Sequence, residues 1–219
     1  MKKFAANLIV VLAALWFIPL NSALATQITS SGDSALTGAA VIDFESQTLG
    51  TYTSLPIGGV TFTANDNHLR IDNTYSGVYG ATGQYLDNGT YANNGFFGLT
   101  ITFSSATSAF GFQWGMAETA AVWNLTAYNS SNTLLETYQL PNTDGSNVGA
   151  FVGLADNNIS YATLINSSNT PLPGSGTYYD WISIDNFNYQ PSAVPEPATM
   201  FLLGSGLLGL AGLRRKFRK

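Results

Sequence analysis

From residue 40 to residue 190 apolar and polar positions alternate with a period of two, in runs separated by glycine, asparagine, serine or proline. This is the pattern of strands with one buried face, because successive side chains of a β-strand point to opposite sides of the sheet. Ile42 and Phe44 alternate with Asp43 and Glu45, Val60 and Phe62 with Thr61 and Thr63, and Leu99, Ile101 and Phe103 with Thr100 and Thr102. Phe110, Phe112 and Trp114 form a further inward face, and Trp123, Leu125 and Ala127 another. The same pattern predicts strands over 133–140, 148–154, 159–165 and 178–189, and short ones at 68–71 and 84–86. In the last strand Ile182 and Ile184 have one parity and Phe187 and Tyr189 the other, so a bulge near Asp185 and Asn186 is needed to bring all four to one core. Residues 55–59 read as a turn, residues 26–38 as a frayed leader, and the threonines 61/63 and 100/102 as isolated pairs.

Nine to eleven short strands, with no 3.6-residue period outside the two chain ends, predict an all-β fold. The form expected is an antiparallel β-sandwich of jelly-roll type. The stretch 64–94 has a different texture, dense in asparagine, aspartate and glycine, and reads as long connections on one rim. Tyr75, Tyr79, Tyr85 and Tyr91 lie in it and are the candidates for stacking on sugar rings, with rim Asn, Asp and Gly taking the hydroxyls. Trp114 and Trp123 read as core.

The chain ends are of another kind. Lys2 and Lys3, an apolar run over 8–20 and Ala23-Leu24-Ala25 make residues 1–25 a signal peptide, to be cut by signal peptidase after Ala25. At the other end Val194-Pro195-Glu196-Pro197 precedes an uncharged run over 198–213 and a basic tail over 214–219. The prolines keep the first element extended, since each lacks an N–H and fixes its own φ. The run is long enough for a transmembrane helix of about 24 Å, and the cations hold its end in the cytoplasm. The β-sandwich domain therefore occupies residues 26–193, flanked by a leader and a C-terminal transmembrane helix.

The tail resembles the PEP-CTERM sorting signal of exopolysaccharide-producing Gram-negative bacteria. The resemblance rests on Val194, Pro195, Glu196, Pro197, the glycine-rich apolar run Gly204-Ser-Gly-Leu-Leu-Gly-Leu-Ala-Gly212, and Arg214 with Arg215. It implies recognition by the membrane protease exosortase, with transient anchorage in the inner membrane and then a place on the cell surface or outside the cell. The segments Gly59-Val60-Thr61-Phe62, Leu99-Thr-Ile-Thr-Phe-Ser104, Ser108-Ala-Phe-Gly-Phe-Gln-Trp114, Leu125-Thr-Ala-Tyr128 and Ile182-Ser-Ile-Asp-Asn-Phe187 look like the sandwich ectodomains found ahead of such tails. Those are similar in shape to carbohydrate-binding modules. The resemblance implies a non-catalytic module for exopolysaccharide or surface glycan; the alternative is a purely structural matrix or coat protein.

Charge narrows the choice. Of eight Lys and Arg residues only Arg70 lies within 26–193, against twelve of the thirteen acids, which leaves that region near −11 and without lysine. Such a surface repels nucleic acid, whose binding needs clustered cations. There is no cysteine, hence no disulfide, thiolate ligand or thiol nucleophile. The single histidine, His68, has no partner motif for catalysis. Carboxylate pairs such as Asp43 with Glu45 or Asp180 with Asp185 are of the kind glycoside hydrolysis uses, but a region near −11 supplies such pairs at random, which makes a glycoside hydrolase the less favoured reading. The acids suit a hard cation such as Ca²⁺ better. Because the first and last strands of a jelly roll commonly pair, Asp43, Glu45 and Asp185 are the expected ligands.

Overall fold

The computed structural model describes residues 26–64, 69–88, 98–115, 121–143, 146–167 and 180–191. The leader with Ala25, His68, Tyr91, and the whole tail with Val194, Pro195, Glu196, Pro197, Arg214, Arg215 and the 198–213 span lie outside the described residues.

Twelve strands are formed among the described residues: β1 (Thr26–Ile28), β2 (Ala40–Ile42), β3 (Gly50–Tyr52), β4 (Ser54–Ile57), β5 (Val60–Ala64), β6 (Leu69–Asp72), β7 (Tyr85–Asp87), β8 (Gly98–Gly115), β9 (Trp123–Tyr128), β10 (Leu134–Gln139), β11 (Ala150–Asn166) and β12 (Ser183–Tyr189). Every pairing is antiparallel. Two strands are far longer than the usual five or six residues, and they explain the architecture. The first half of β8 pairs with β5 and with the second half of β11, its second half with the first half of β11 and with β12. Between the halves the β8–β11 register shifts twice, on either side of Ile159, which faces Thr107. There the ribbon turns from one layer into the other, and the inward parity of β8 changes from Leu99, Ile101 and Phe103 to Phe110, Phe112 and Trp114. One layer is thus β10-β9-β11-β8-β5-β4; the other is β1-β11-β8-β12, continued by β7-β6-β3, with β2 beside the end of β12. This is the antiparallel sandwich expected from the alternation, with the predicted strand pairs 99–103/110–114 and 148–154/159–165 each fused into one bent strand.

The core lies between the layers. Phe187 sits at its centre, edge-on to Phe62 at 5.2 Å and stacked with Phe112 at 5.8 Å and Phe110 at 5.9 Å. It can do so because β12 carries the anticipated bulge: the register with β8 shifts between Asp185 and Asn188, and Asn186 takes a left-handed φ of 45°. Ile182, Ile184 and Phe187 are all buried, while Tyr189 packs partly buried against the core and accepts a hydrogen bond from Gly59 N at 3.1 Å. β2 pairs with β12, Ile42 opposite Phe187, so the strand leading to Asp43 lies beside the bulge.

Three local expectations change. Residues 26–38 do not fray: β1 pairs with β11, and Ile28 and Leu36 bury themselves with Ala109 in a second apolar cluster. A single turn of 3₁₀ helix (Ser34–Leu36), capped by Asp33, shapes the approach, a feature without apolar periodicity to announce it. Residues 55–59 are not all turn, since β4 pairs with β5 and only Gly58 and Gly59 reverse the chain; Pro56 is tolerated because β4 is an edge strand. The threonines are not isolated. The registers align Thr137, Thr126, Thr163, Thr100, Thr63 and Ser54 in one row across six strands, with Thr102 and Thr61 adjacent in the next row.

Candidate functional site

Residues 73–84 join β6 to β7 and fold back on themselves. The turn begins because the Asp72 carboxylate accepts from Asn73 N at 2.8 Å and Thr74 Oγ1 at 2.8 Å. It is pinned internally by Gly77 N to Ala81 O at 2.9 Å and by Gly83 N to Ser76 Oγ at 2.8 Å. At the tip Tyr79 holds a left-handed φ of 57°, a conformation that costs a non-glycine residue on the order of 1–2 kcal/mol. The strain persists because the surroundings leave the tip no other place. Gly80 N donates to Asn147 O at 3.0 Å, and the Tyr79 carbonyl lies so close to Gly115 that a Cβ there would fall on it.

This loop presents an aromatic cup. Tyr75 lies edge-on to Tyr79 at 5.9 Å and to Trp181, just before β12, at 5.7 Å. All three rings are partly buried and pack on a floor of Ala81 and Tyr85. Of the four tyrosines expected to stack on sugar, the structure thus brings Tyr75 and Tyr79 together. Tyr85 is a correction: it is fully buried, its hydroxyl accepting from Tyr75 N at 3.1 Å, and burial pushes its phenol well above the ordinary range. It supports the cup and has no face to offer a ligand. Trp181 is not singled out by the sequence pattern, which places it within the strand 178–189; the signal for it is its position outside the Ile182/Ile184 parity.

The polar groups behind the cup are already engaged. Asn88 donates to Asp180 O at 2.6 Å and accepts from Ile182 N at 3.2 Å, which fixes the backbone on both sides of Trp181. Trp123 Nε1 donates to the Asp180 carboxylate. Arg70 is held by Asp87, through Nε at 2.9 Å and Nη2 at 2.6 Å, and by Asp72 at 2.7 Å. The Asp87 hydrogen bonds outweigh partial burial and keep the guanidinium above its ordinary pKa.

On the other flank of the loop stand two carboxylates. Asp185, almost wholly buried in the β12 bulge, accepts from Thr82 N and Thr82 Oγ1, both at 2.8 Å, and from Asn186 N at 2.6 Å. Burial pushes its carboxyl above the ordinary range against those hydrogen bonds, and neighbouring Glu45 adds to the rise. Glu45 accepts from Gln84 N at 3.0 Å, and its backbone carbonyl accepts from Gln84 Nε2 at 3.1 Å. Gly83 has a left-handed φ of 58°, and a Cβ there would fall on the Glu45 carboxylate. Asp43 is exposed and accepts from Glu45 N at 3.2 Å. The expected trio therefore does not assemble: among the described residues no three acid or imidazole side chains form a metal-holding group. Glu45 and Asp185 do act on the same stretch of loop, gripping Gln84 and Thr82 and influencing each other electrostatically, and the Gln84 amide oxygen Oε1 is buried and accepts no hydrogen bond among the described residues. Two carboxylates and an orphaned amide oxygen are hard donors of the kind Ca²⁺ takes.

The site thus defines a β-sandwich that presents an aromatic cup on a loop braced by acids, in a chain that ends in a sorting tail. Residues 193–216 match the PEP-CTERM protein-sorting motif, which marks the chain for export and sorting to the surface. No curated protein sequence matches the chain. Among solved structures it is similar to a family 6 carbohydrate-binding module (16% identity, TM-score 0.36, covering 70% of this chain and 94% of the module). It is also similar to a family 61 module in complex with β-1,4-galactotriose (11%, 0.43, 67% and 92%), and to a family 6 module from Clostridium stercorarium in complex with cellobiose (12%, 0.36, 70% and 94%). These overlaps are loose, and the fold rests on the strand pairing described above.

Proposed function

We propose that this is an exosortase-sorted surface or matrix protein whose sandwich binds an uncharged glycan without catalysis. The observation that carries the reading is the cup itself: three partly buried rings at steep mutual angles, one of them on a strained tip that tight packing holds in place. Strain kept at a surface aromatic supports a recognition role better than a purely structural one. Aromatic faces suit the apolar C–H faces of sugars. The ligand class follows from charge, because Arg70 is enclosed by Asp72 and Asp87 and the region near −11 repels polyanions. A catalytic role is not favoured, as the Asp180 and Asp185 carboxylates both accept from structural donors.

The test is a polysaccharide array probed with the purified protein. Neutral glycans should bind, and Trp181→Ala or Tyr79→Ala should weaken binding about tenfold or more, near 1.4 kcal/mol, with little change in melting temperature. A blank array would leave the structural matrix protein as the reading. Turnover of a bound glycan would establish a hydrolase.

For sorting, residues 194–219 grafted to an exported reporter should give membrane retention and then release in a host with exosortase. Processing that survives Glu196→Ala with Pro197→Ala would end that part of the proposal.

The reading extends to Ca²⁺, held by Glu45, Gln84 Oε1 and Asp185, with backbone carbonyls and water completing the six to eight oxygens it prefers. Bound there it would neutralise two neighbouring carboxylates and give the orphaned amide oxygen a partner.

A further inference from the structure

The cup and the carboxylates occupy opposite flanks of one twelve-residue loop, and every link between them is a short contact. Tyr79, at the tip, is three residues from Thr82, and the intervening Gly80 and Ala81 are tied down by Asn147 O at 3.0 Å and Val78 O at 3.0 Å. Thr82 gives both its donors to Asp185 Oδ2. Gly83 lies against the Glu45 carboxylate, and Gln84 is gripped by Glu45 through backbone and side chain. Three consecutive residues are therefore fixed to two acids that come from the other chain segments of the domain, after β2 and within β12. Resistance to the tip's strain comes from these anchors together with the Asn147 and Gly115 contacts at the tip, since the turn's internal hydrogen bonds do not tie it to the sandwich.

We infer that Asp185 and Glu45 are positioning residues for the aromatic cup, seating Tyr75 and Tyr79 against Trp181 through their grip on Thr82, Gly83 and Gln84. This rests on the glycan-binding reading for its purpose, but not for its geometry. Among the described residues neither acid hydrogen-bonds to a ring of the cup. When the grip is broken, the left-handed tip relaxes, Tyr79 and Tyr75 leave Trp181, and the cup opens while the sandwich stays folded. Affinity for the ligand is thereby set from the side of the loop that the ligand does not reach.

Thr82 makes the test clean, because it is exposed and its substitution leaves the core intact. Thr82→Val keeps the shape and the N–H but removes the hydroxyl donor, whereas Thr82→Ser keeps both donors. Loss of one hydrogen bond to a charged acceptor shifts the ratio of seated to released loop about tenfold toward release. The readout is acrylamide quenching of tryptophan emission in the ligand-free full chain, compared with a Trp181→Phe control that isolates the Trp181 component. Trp114 and Trp123 are buried and contribute little quenchable emission, and the emission of Trp16, near the amino end, is removed by the same comparison. Quenching of Trp181 should rise in Thr82→Val and Asp185→Asn and stay at the wild-type level in Thr82→Ser, with circular dichroism unchanged in both Thr82 variants. Wild-type quenching in Thr82→Val, or an equal rise in Thr82→Ser, overturns the inference. A polysaccharide array run on the same variants separates the two proposals. A blank wild-type array removes the glycan reading and leaves the quenching result standing, whereas wild-type glycan binding by Thr82→Val keeps the glycan reading and refutes the positioning role.

Discussion

Phe187→Ala should lower stability by about 3–5 kcal/mol, the range for deleting a buried aromatic ring. For a domain of this size that is a fall in melting temperature of roughly 10–15 °C. Phe187 is wholly buried where the two layers meet, with Phe62, Phe110 and Phe112 within 6 Å and Phe103 at 6.4 Å. These neighbours stand on β5 and β8, whose backbones are paired on both sides, so they cannot collapse into the space. The cavity therefore remains, and its cost adds to the lost transfer free energy. Phe187→Leu refills part of the volume and should recover more than half of the loss. Thermal and denaturant melts of the three proteins decide it; a loss below about 1.5 kcal/mol for the alanine variant would mean that the bulge, not the ring, holds this part of the core.

Calcium should have the second large effect. A ligand that binds only the folded state at about a hundred times its Kd adds about 2.7 kcal/mol, roughly 5–10 °C here. Sodium at equal ionic strength supplies screening alone. Glu45→Gln keeps an acceptor for Gln84 N and removes the charge, so it should abolish most of the calcium-specific shift. Asp43→Ala should not, since Asp43 is exposed and stands outside the pair. The pH dependence has a definite sign. Asp185 has its folded-state pKa raised above the ordinary 3.8, so protonation contributes stability that is full below 3.8 and is lost as pH rises through the raised value. Calcium competes with that proton, and its benefit should shrink as the pH is lowered through the same window. Equal melting shifts in calcium and sodium would falsify the cation site.

The layers were legible in the sequence because alternation is a local signal and buried faces enforce it. The bulge at Asp185 and Asn186 was legible for the same reason, as a parity conflict that only one extra residue resolves. The fusion of 99–103 with 110–114 was not, because Ser104 and Ser105 carry the polar texture of a turn although the extended strand runs on through them, with Ser104 N donating to Gly59 O at 2.8 Å. Residues 26–38 look like a leader in composition, and only the pairing of β1 with β11 makes Ile28 and Leu36 apolar anchors. At the site, an Asn- and Gly-rich stretch placed Tyr75 and Tyr79 on a rim but could not separate them from Tyr85, which belongs to a strand buried on both faces. Trp181 is about a hundred residues from them in sequence, and no local pattern links it to the cup. The threonine row is the same case: side-by-side order across strands is set by register, which composition does not contain.

The place of β12 matters for a chain whose sorting tail follows it. β12 lies inside its sheet, with β8 along one side and β7 and β2 along the other, and the chain leaves it by way of Gln190 and Pro191. A pull applied at Pro191 along the strand axis would load the hydrogen bonds on both flanks in shear, so that they fail together, not one after another. β8 in turn belongs to both layers, which spreads the load over the whole sandwich.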